Sequence, residues 1–413
     1  MNFRLGADIR ERLSKLGYRG IGRLLRLLGF RFLRVPKIER VGHLALDFDS
    51  YLKDQILSGR RVHPIYLFGE KGAPPRPANQ ALMDLWGRHI WLISSPFWRR
   101  LLQPFMKMPE LVDELRIYSF LVGETARCYD VQGRWRGRPP IISLSSKLRK
   151  RGRAVLREMG VPDDAWFVCV HAREGGYSPR DEWAHVYRNV DIASYDLAID
   201  AIIARGGWCI RMGDASMVKP PGRDRFIDYA HSPWKSDWMD IYLCATCRFF
   251  FGDTSGLFNV TGIFGGMSVL TNMTPISCAY SQFPNDTSIP KTIAWSDGRR
   301  IGFAEAFSSE VGAMRFAPAF EKAGVVNLSN TPEEILDLVT EVMDRLENRA
   351  VYTAEDEMLQ ERFRSLMRPG HYAWPPYSRI GRDFLRAHAG QLGSARGERQ
   401  PEASGLEDAS STG

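Results

Sequence analysis

Three short stretches carry residue types suited to holding a polyphosphate anion. The first is Val170-His171-Ala172-Arg173-Glu174-Gly175-Gly176-Tyr177. It follows an apolar run at 166–170 that predicts a strand, so Arg173 falls at a strand's carboxyl end, where open α/β sheets bind ligands. A guanidinium is a planar fork of donors matched to phosphate oxygens, and Gly175 and Gly176 let backbone approach a bound group. A surface arginine on an ordinary strand-to-loop turn is the competing account. The second stretch, Trp208-Cys209-Ile210-Arg211-Met212-Gly213-Asp214, is another strand running into a turn, where Arg211 suits a structural ion pair as well as a ligand contact. The third, Phe249-Phe250-Phe251-Gly252-Asp253-Thr254-Ser255-Gly256-Leu257, carries the most weight. A wholly apolar strand gives way there to small polar residues opening a helix. Unbonded helix amides, the helix dipole and the Thr254 and Ser255 hydroxyls would form an anion cradle. Simple N-capping by Asp253, Thr254 or Ser255 would need only one of the three.

These stretches need strands and helices to bring them together. From Val161 the pattern alternates: strands at 166–170, 208–212, 248–251 and 268–271, helices at 194–205, 236–245 (capped by Ser236) and 255–264. A further unit at 325–346 pairs a strand with a helix whose start has Thr331 as N-cap, Pro332 first and Glu334 closing a capping box. Such alternation predicts a parallel sheet covered on both faces. Residues 41–155 read as an earlier α/β unit, with a helix from near Leu46, a strand within 60–68, a loop at 72–79, a Trp/Arg-rich stretch at 89–105 and an irregular closing segment at 133–144.

Composition bounds the rest. At 413 residues, 44% apolar and 25% charged, the chain reads as a globular protein of at least two domains. No apolar run approaches the roughly 18 residues of a membrane span, and the first residues lack a secretory signal pattern. The six scattered cysteines suit small buried hydrophobes in a reducing cytoplasm, and Cys244-Ala-Thr-Cys247 lacks the second pair a zinc site needs. The net charge of +8 resides entirely in residues 1–40, which hold eleven Lys or Arg against three acids. A nucleic-acid enzyme would spread such charge over its working domain, so no nucleic-acid partner is expected. On a helix, Arg12, Lys15, Arg19, Arg23, Arg26 and Arg34 share one stripe, opposite Ile21, Leu24, Leu25, Leu28 and Phe32. That predicts a basic amphipathic helix on an anionic membrane surface; a helix packed on the protein's own body is the alternative. The polar end, from about Gly390, predicts disorder. The absence of G-x-G-x-x-G after a first strand argues against a dinucleotide-dependent dehydrogenase.

Taken in order, these motifs resemble those of known proteins. His171–Tyr177 resembles the H-x-R-x-x-D-Y element of alpha-1,2- and alpha-1,6-fucosyltransferases, with Gly176 where that family has aspartate. The chain is more similar to a family of uncharacterised bacterial putative glycosyltransferases, through the H-x-R-E-x-x-Y block, Arg188-Asn189-Val190-Asp191-Ile192 with Tyr195, the I-R-M-G-D strand end, the D-T-S-G-L turn and Gly42-His43. The resemblance spans roughly 38–385 and implies a GT-B-like α/β fold, two Rossmann-like domains facing a cleft. The expected division is a basic segment at 1–40, an acceptor-side domain at 41–155, a nucleotide-sugar-binding domain at 156–345, a helical segment at 346–389 and a disordered tail at 390–413.

The implied activity is transfer of a sugar from a nucleotide-diphosphate donor, GDP- or UDP-linked, to a glycan or lipid-linked acceptor in making a bacterial surface polysaccharide or glycolipid. The enzyme is expected at the inner face of the membrane. A non-catalytic sugar-nucleotide-binding scaffold or sensor is the alternative. Arg173 would meet the leaving diphosphate, with Thr254, Ser255 and Gly256 as donors and Arg211 as a second cation. His171, Tyr177, Arg188, Asn189, Gly213 and Asp253 would line the donor side, and Asp214 and Asp191 could meet ribose or base. His43, at an expected strand end, or Glu174 would be the catalytic base. Asp47-Phe48-Asp49 imitates a metal-binding D-x-D, but within a helix i and i+2 do not share a face, so no metal or cofactor is expected.

Overall fold

The computed structural model describes residues 17–68, 76–115, 122–177 and 179–393. Two parallel sheets organise them. The first has β1 (Phe30–Arg34), β2 (His63–Leu67), β3 (Trp91–Ile93) and β4 (Val112–Glu114) in the order β3-β2-β1-β4. The second has seven strands, β5 (Phe167–His171), β6 (Trp208–Arg211), β7 (Phe226–Ile227), β8 (Phe250–Gly252), β9 (Ser268–Met273), β10 (Thr287–Pro290) and, after three strands placed elsewhere, β14 (Arg379–Ile380). Their order is β14-β10-β9-β8-β5-β6-β7, with every neighbouring pair parallel. The fold is therefore the expected α/β class with two Rossmann-like units.

The strand period of two explains how the second sheet is buried on both sides. Phe167, Cys169 and Phe250 enter one apolar core, while Val168, Val170, Phe249 and Phe251 enter another. The second core is closed by the helices Asp196–Ala204 and Pro332–Leu346. Pro332–Leu346 begins as its sequence predicts, with the full Thr331–Glu334 capping box. The first core does not stop at the second unit. It runs through Phe258 and Val260 of helix Leu257–Ile263 into Leu44, Phe48 and Leu52 of helix Val41–Leu57, and on to Leu33 of β1.

Four expectations are corrected. Residues 30–34 are not the end of a basic helix but the strand β1, paired on both sides; Phe32 is fully buried and Arg34 pairs with Glu114 at 2.6 Å. Helix remains at 17–27, while Arg12 and Lys15 lie outside the described residues. The helix expected near Leu46 starts at Val41, because tertiary packing of Gly42 outweighs glycine's poor helix propensity. The strand Val325–Leu328 (β13) leaves the parallel sheet and pairs antiparallel with β11 (Thr292–Trp295), itself joined to β12 (Arg300–Ile301). Finally, the segment after 346 contributes β14 as well as helices, and Ala389–Leu392 forms a helical turn; residues 394–413 of the expected disordered tail lie outside those described.

Asp286, just before β10, is fully buried, accepting from the Ser268 amide at 2.7 Å and the Ser281 hydroxyl at 2.6 Å. Burial pushes its carboxyl up to about 7. A folded value raised above that of the unfolded chain makes its contribution complete below about pH 4 and lost as pH rises through about 7. Asp286→Asn keeps an acceptor for the Ser268 amide and turns a donor toward the Ser281 hydroxyl, which can accept, and it cannot ionise, so it is expected to recover roughly 3–5 kcal/mol of stability at neutral pH relative to acid. Urea denaturation near pH 5 and near pH 7.5 checks this, since the variant's midpoint should shift less between the two.

Candidate functional site

The chain runs from β5 outward through β6 and β7, then returns to place β8 on the other side of β5. The β5/β8 boundary is therefore a topological switch point, and the crevice outside the strands' carboxyl ends there is where such sheets receive ligands. The loops leaving these two strands are the first and third stretches singled out above. They touch: His171 is in register with Gly252, and the Arg173 amide donates to Asp253 Oδ2 at 2.6 Å. Asp253 is fully buried, and burial raises its carboxyl against the opposing effects of His171, the Arg173 amide and Arg188.

The first sheet has the same design, with β2 and β4 flanking β1, and the loop after β1 leads into helix Val41–Leu57. The two units meet there. A Cβ on Gly256 would lie 2.7 Å from Gly42 N, and a Cβ on Gly42 would lie 3.0 Å from Gly256 Cα. Only glycine at both positions permits this approach. Arg40, just before the helix, also reaches across to Asp181.

The cations around this junction divide into two kinds. Arg173 is engaged, donating to Glu182 at 3.1 Å, to the His185 carbonyl at 3.3 Å and to Asn189, which itself donates to Glu182 at 2.5 Å. Arg188 instead donates to the Thr254 carbonyl, on the third stretch, and has no carboxylate within salt-bridge reach among the described residues. Lys291, directly after β10, is buried on the Tyr187 and Asn189 carbonyls at 3.0 and 3.2 Å, and burial lowers its ammonium to about 8. Burial, then Arg188, Arg173 and Arg40, press His185 down to about 4, so the imidazole is neutral at pH 7. Among the described residues, four buried polar atoms on the segments following β5 and β8 have no hydrogen-bond partner: His185 Nδ1, Arg188 Nε, Asp253 Oδ1 and Ser255 Oγ. Buried polar groups usually have partners; atoms without one also occur elsewhere in the molecule, as at Asp47 Oδ1 and Tyr280 OH, and here four of them share one strand-end crevice.

Other expected residues fall differently. Arg211 has no exposed surface; it is bound to Glu174 at 2.8 Å and Asp228 at 3.3 Å, so it is a structural ion pair and not a second ligand cation. Glu174 spends its other oxygen on the Val218 amide at 2.7 Å, which removes it as a ready base. Physically, two carboxylates and a buried guanidinium satisfy each other, and exposing any one would strand a charge. His171 is buried with Nδ1 3.2 Å from the Met212 carbonyl, and burial lowers its imidazole. Gly213 adopts φ +144 against Met217, Asp214 accepts from the Ser216 amide at 2.8 Å, and Asp191 from the Ala193 amide at 3.0 Å; these are loop-shaping bonds. Tyr177 is exposed, on a turn packed beside Ser216. The helix after the third stretch starts only at Leu257, with Gly256 as N-cap and no side-chain cap bond. Thr254 Oγ1 instead accepts from the Thr274 amide at 3.1 Å, and the Ser255 amide donates to the Asp253 carbonyl at 2.7 Å.

His43 lies in the first turn of helix Val41–Leu57, not at a strand end. One turn on, Asp47 Oδ2 is 3.2 Å from its Nδ1, and Asp47 is fully buried. Asp49 is held by Lys53 at 2.7 Å and Gln132 at 2.7 Å. The two acids of the D-x-D thus point to different partners, as their helical spacing predicts. Among the described residues, no group of three or more His, Cys, Asp or Glu is placed to hold a metal ion, and no helix is long and apolar enough to cross a membrane. All six cysteines are free, four of them buried.

No protein-family model matches the chain, and no curated protein matches it, so the fucosyltransferase likeness has no support at that level. Among solved structures, the chain is similar to the E. coli ADP-heptose lps heptosyltransferase II, at 11% identity and TM-score 0.40 over 77% of this chain and 99% of that one. It is also similar to a glycosyl transferase family 9 protein from Veillonella parvula, at 8% identity and TM-score 0.36 over 58% and 79% of the two chains. A third, E. coli heptosyltransferase WaaC with ADP, is 12% identical with TM-score 0.31 over 63% and 90%.

Sequence reasoning missed Asp47 as a partner of His43, although the i,i+4 spacing on a helix signals it. It also missed Lys291, for which a lone lysine after a four-residue strand gives no signal. The two arginines can be told apart by experiment. Arg188→Ala is expected to weaken binding of inorganic pyrophosphate by about 2–3 kcal/mol, some thirtyfold or more, with little loss of stability. Arg173→Ala is expected instead to lower the melting temperature by several degrees, because it strands Glu182 and Asn189. Calorimetric titration and thermal unfolding of both variants check the assignment.

Proposed function

We propose that this chain is a glycosyltransferase that moves a sugar from a nucleoside-diphosphate donor, GDP- or UDP-linked, to a glycan or lipid-linked acceptor in building a bacterial surface polysaccharide or glycolipid. The observation that carries the reading is the coincidence at the β5/β8 switch point of Arg188, lying on the Thr254 carbonyl, with Arg188 Nε, Ser255 Oγ and His185 Nδ1, buried atoms that can donate to an anion and have no partner among the described residues. A diphosphate there would accept from Arg188 and lie in the field of Lys291. As the bond from sugar to phosphate breaks, negative charge grows on the leaving diphosphate, and fixed cations stabilise that charge without reorganising. In this reading Arg188 and Lys291 do the work a divalent metal does elsewhere.

The acceptor hydroxyl must lose a proton as it attacks. His43 is supplied by the facing unit, one residue from the Gly42–Gly256 contact. With Nδ1 turned to Asp47, the base would be Nε2, and the buried carboxylate would hold the ring and stabilise the imidazolium that forms. His43→Ala is expected to leave nucleotide affinity within about twofold while lowering turnover a hundredfold or more.

Two measurements test the reading. Thermal shifts with GDP, UDP, ADP, CMP and dTDP should single out one nucleoside diphosphate, since a ligand bound only by the folded form raises the melting point. Its affinity should be strong below about pH 8 and fall as pH rises through that value, because Lys291 must carry its proton to attract the anion. A flat response to every nucleotide would remove the donor seat. Binding with no slow hydrolysis of any sugar nucleotide would leave a sugar-nucleotide sensor in place of an enzyme.

A further inference from the structure

The outer face of the first sheet is capped by two amphipathic helices whose apolar sides are only partly used. In β1, Leu33 enters the core shared with helix Val41–Leu57, while Phe32 points to the opposite face with Ile65, Phe105 and Leu111. On this second face lie the helix at 17–27, through Tyr18 and Leu25, and the segment from helix Pro96–Leu102, through Leu102, Phe105 and Met106. The two are in contact: the Tyr18 and Phe105 rings are 5.5 Å apart, and a Cβ on Gly22 would meet Met108 Sδ at 2.6 Å. Outward from this base, Leu24, Leu27 and Leu28 are 55, 84 and 55% exposed, and Phe97, Trp98 and Leu101 are 68, 52 and 42% exposed. Monomeric soluble proteins rarely leave that much apolar and aromatic surface together.

The charges between these side chains are all of one sign. Arg19, Arg23 and Arg26 are exposed on the first helix, and Arg99 and Arg100 sit on the second, Arg100 exposed. None of the five has a carboxylate within salt-bridge reach among the described residues, and no Asp or Glu occurs at 12–38 or at 85–109. Leucine, phenylalanine and tryptophan interleaved with arginine, on a broad face with no acid to balance it, match an anionic bilayer: the apolar groups enter the headgroup boundary and the guanidiniums stay with the phosphates.

We propose that this face docks on an anionic lipid bilayer, with Phe97, Trp98 and Leu101 as the inserting wedge and the arginines of both helices as the electrostatic contact. The docking is independent of the donor site, which belongs to strand ends and not to this sheet face.

The test is co-sedimentation of the full chain with vesicles of phosphatidylcholine alone or with about one-third phosphatidylglycerol. The wild type is expected to bind the anionic vesicles at least about tenfold more tightly. Phe97→Ser with Trp98→Ser should reduce that binding about tenfold or more without a change in melting temperature, since both rings are exposed. Arg99→Ser with Arg100→Ser should reduce it too and flatten its dependence on salt. Trp98→Phe, which keeps an aromatic ring, should still bind but show less quenching of tryptophan fluorescence by lipid brominated in its acyl chains. Equal or absent binding to both vesicles, or wild-type binding by the Phe97/Trp98 double variant, overturns the proposal. So does a concentration-dependent dimer that the same double variant abolishes, because the face would then belong to a second copy.

Discussion

The arrangement depends on a contact between two glycines. Gly42 begins the helix of the first unit, Gly256 caps the helix after β8, and a single added carbon on either would run into the other's backbone. Nothing but backbone separates the two units at this point, and the apolar core continues beneath it from Leu33 through Phe48 to Phe258. Interiors packed to this density transmit position closely. His43 from one unit and the Thr254–Ser255 turn from the other are placed by covalent neighbours of the same contact, so the proposed base and the proposed anion seat share one reference point.

The electrostatics of the junction follow from which cations the loops consume. Loops at strand ends have few backbone partners of their own and must be tied down by side chains. Arg173 ties the loop after β5 to Glu182 and Asn189, and Arg211 ties Glu174 to Asp228 from beneath. Both arginines are thereby neutralised. Arg188 and Lys291 are held by carbonyls alone, which orient a cation without cancelling its charge. Cations of the same type are thus divided, according to whether a carboxylate folds back onto them, into those that tie the loops and those whose charge is left uncancelled.

That division explains what the sequence could and could not disclose. The strands β5, β6, β8 and β9 were legible because each is an apolar run ended by glycine or polar residues, and the capping box at Thr331 was legible because it is wholly local. That the two main motifs end strands of one parallel sheet followed from strand–helix alternation, but their adjacency did not, because alternation leaves the strand order open. The start of helix Val41–Leu57 was hidden, since Gly42 reads as a breaker until Gly256 is known to need it there. The strands β7, β12 and β14, two residues each, have no period to detect. Arg173 and Arg188 look alike in sequence, and their different fates turn on Glu182, nine residues from one and six from the other, choosing a single partner.

Under the proposed function the unpartnered atoms make the junction a seat for an anion and not a packing fault. A protein that folds with a guanidinium nitrogen, a carboxylate oxygen, a hydroxyl and an imidazole nitrogen all buried without partners bears a desolvation cost for each. Partnerless buried atoms also occur elsewhere among the described residues, Asp47 Oδ1, Arg211 Nε and Tyr280 OH among them, so what marks this junction is that four of them are carried by the segments following two adjacent strands, β5 and β8. A lysine lowered to about 8 by burial and a histidine lowered to about 4 by burial and by Arg188, Arg173 and Arg40 add to the cost there. An anion would give Arg188 and the Ser255 hydroxyl a partner and favour the charged form of Lys291, whereas a neutral ligand would not favour that charge; Asp253 Oδ1, itself an acceptor, would need a donor from elsewhere on the ligand.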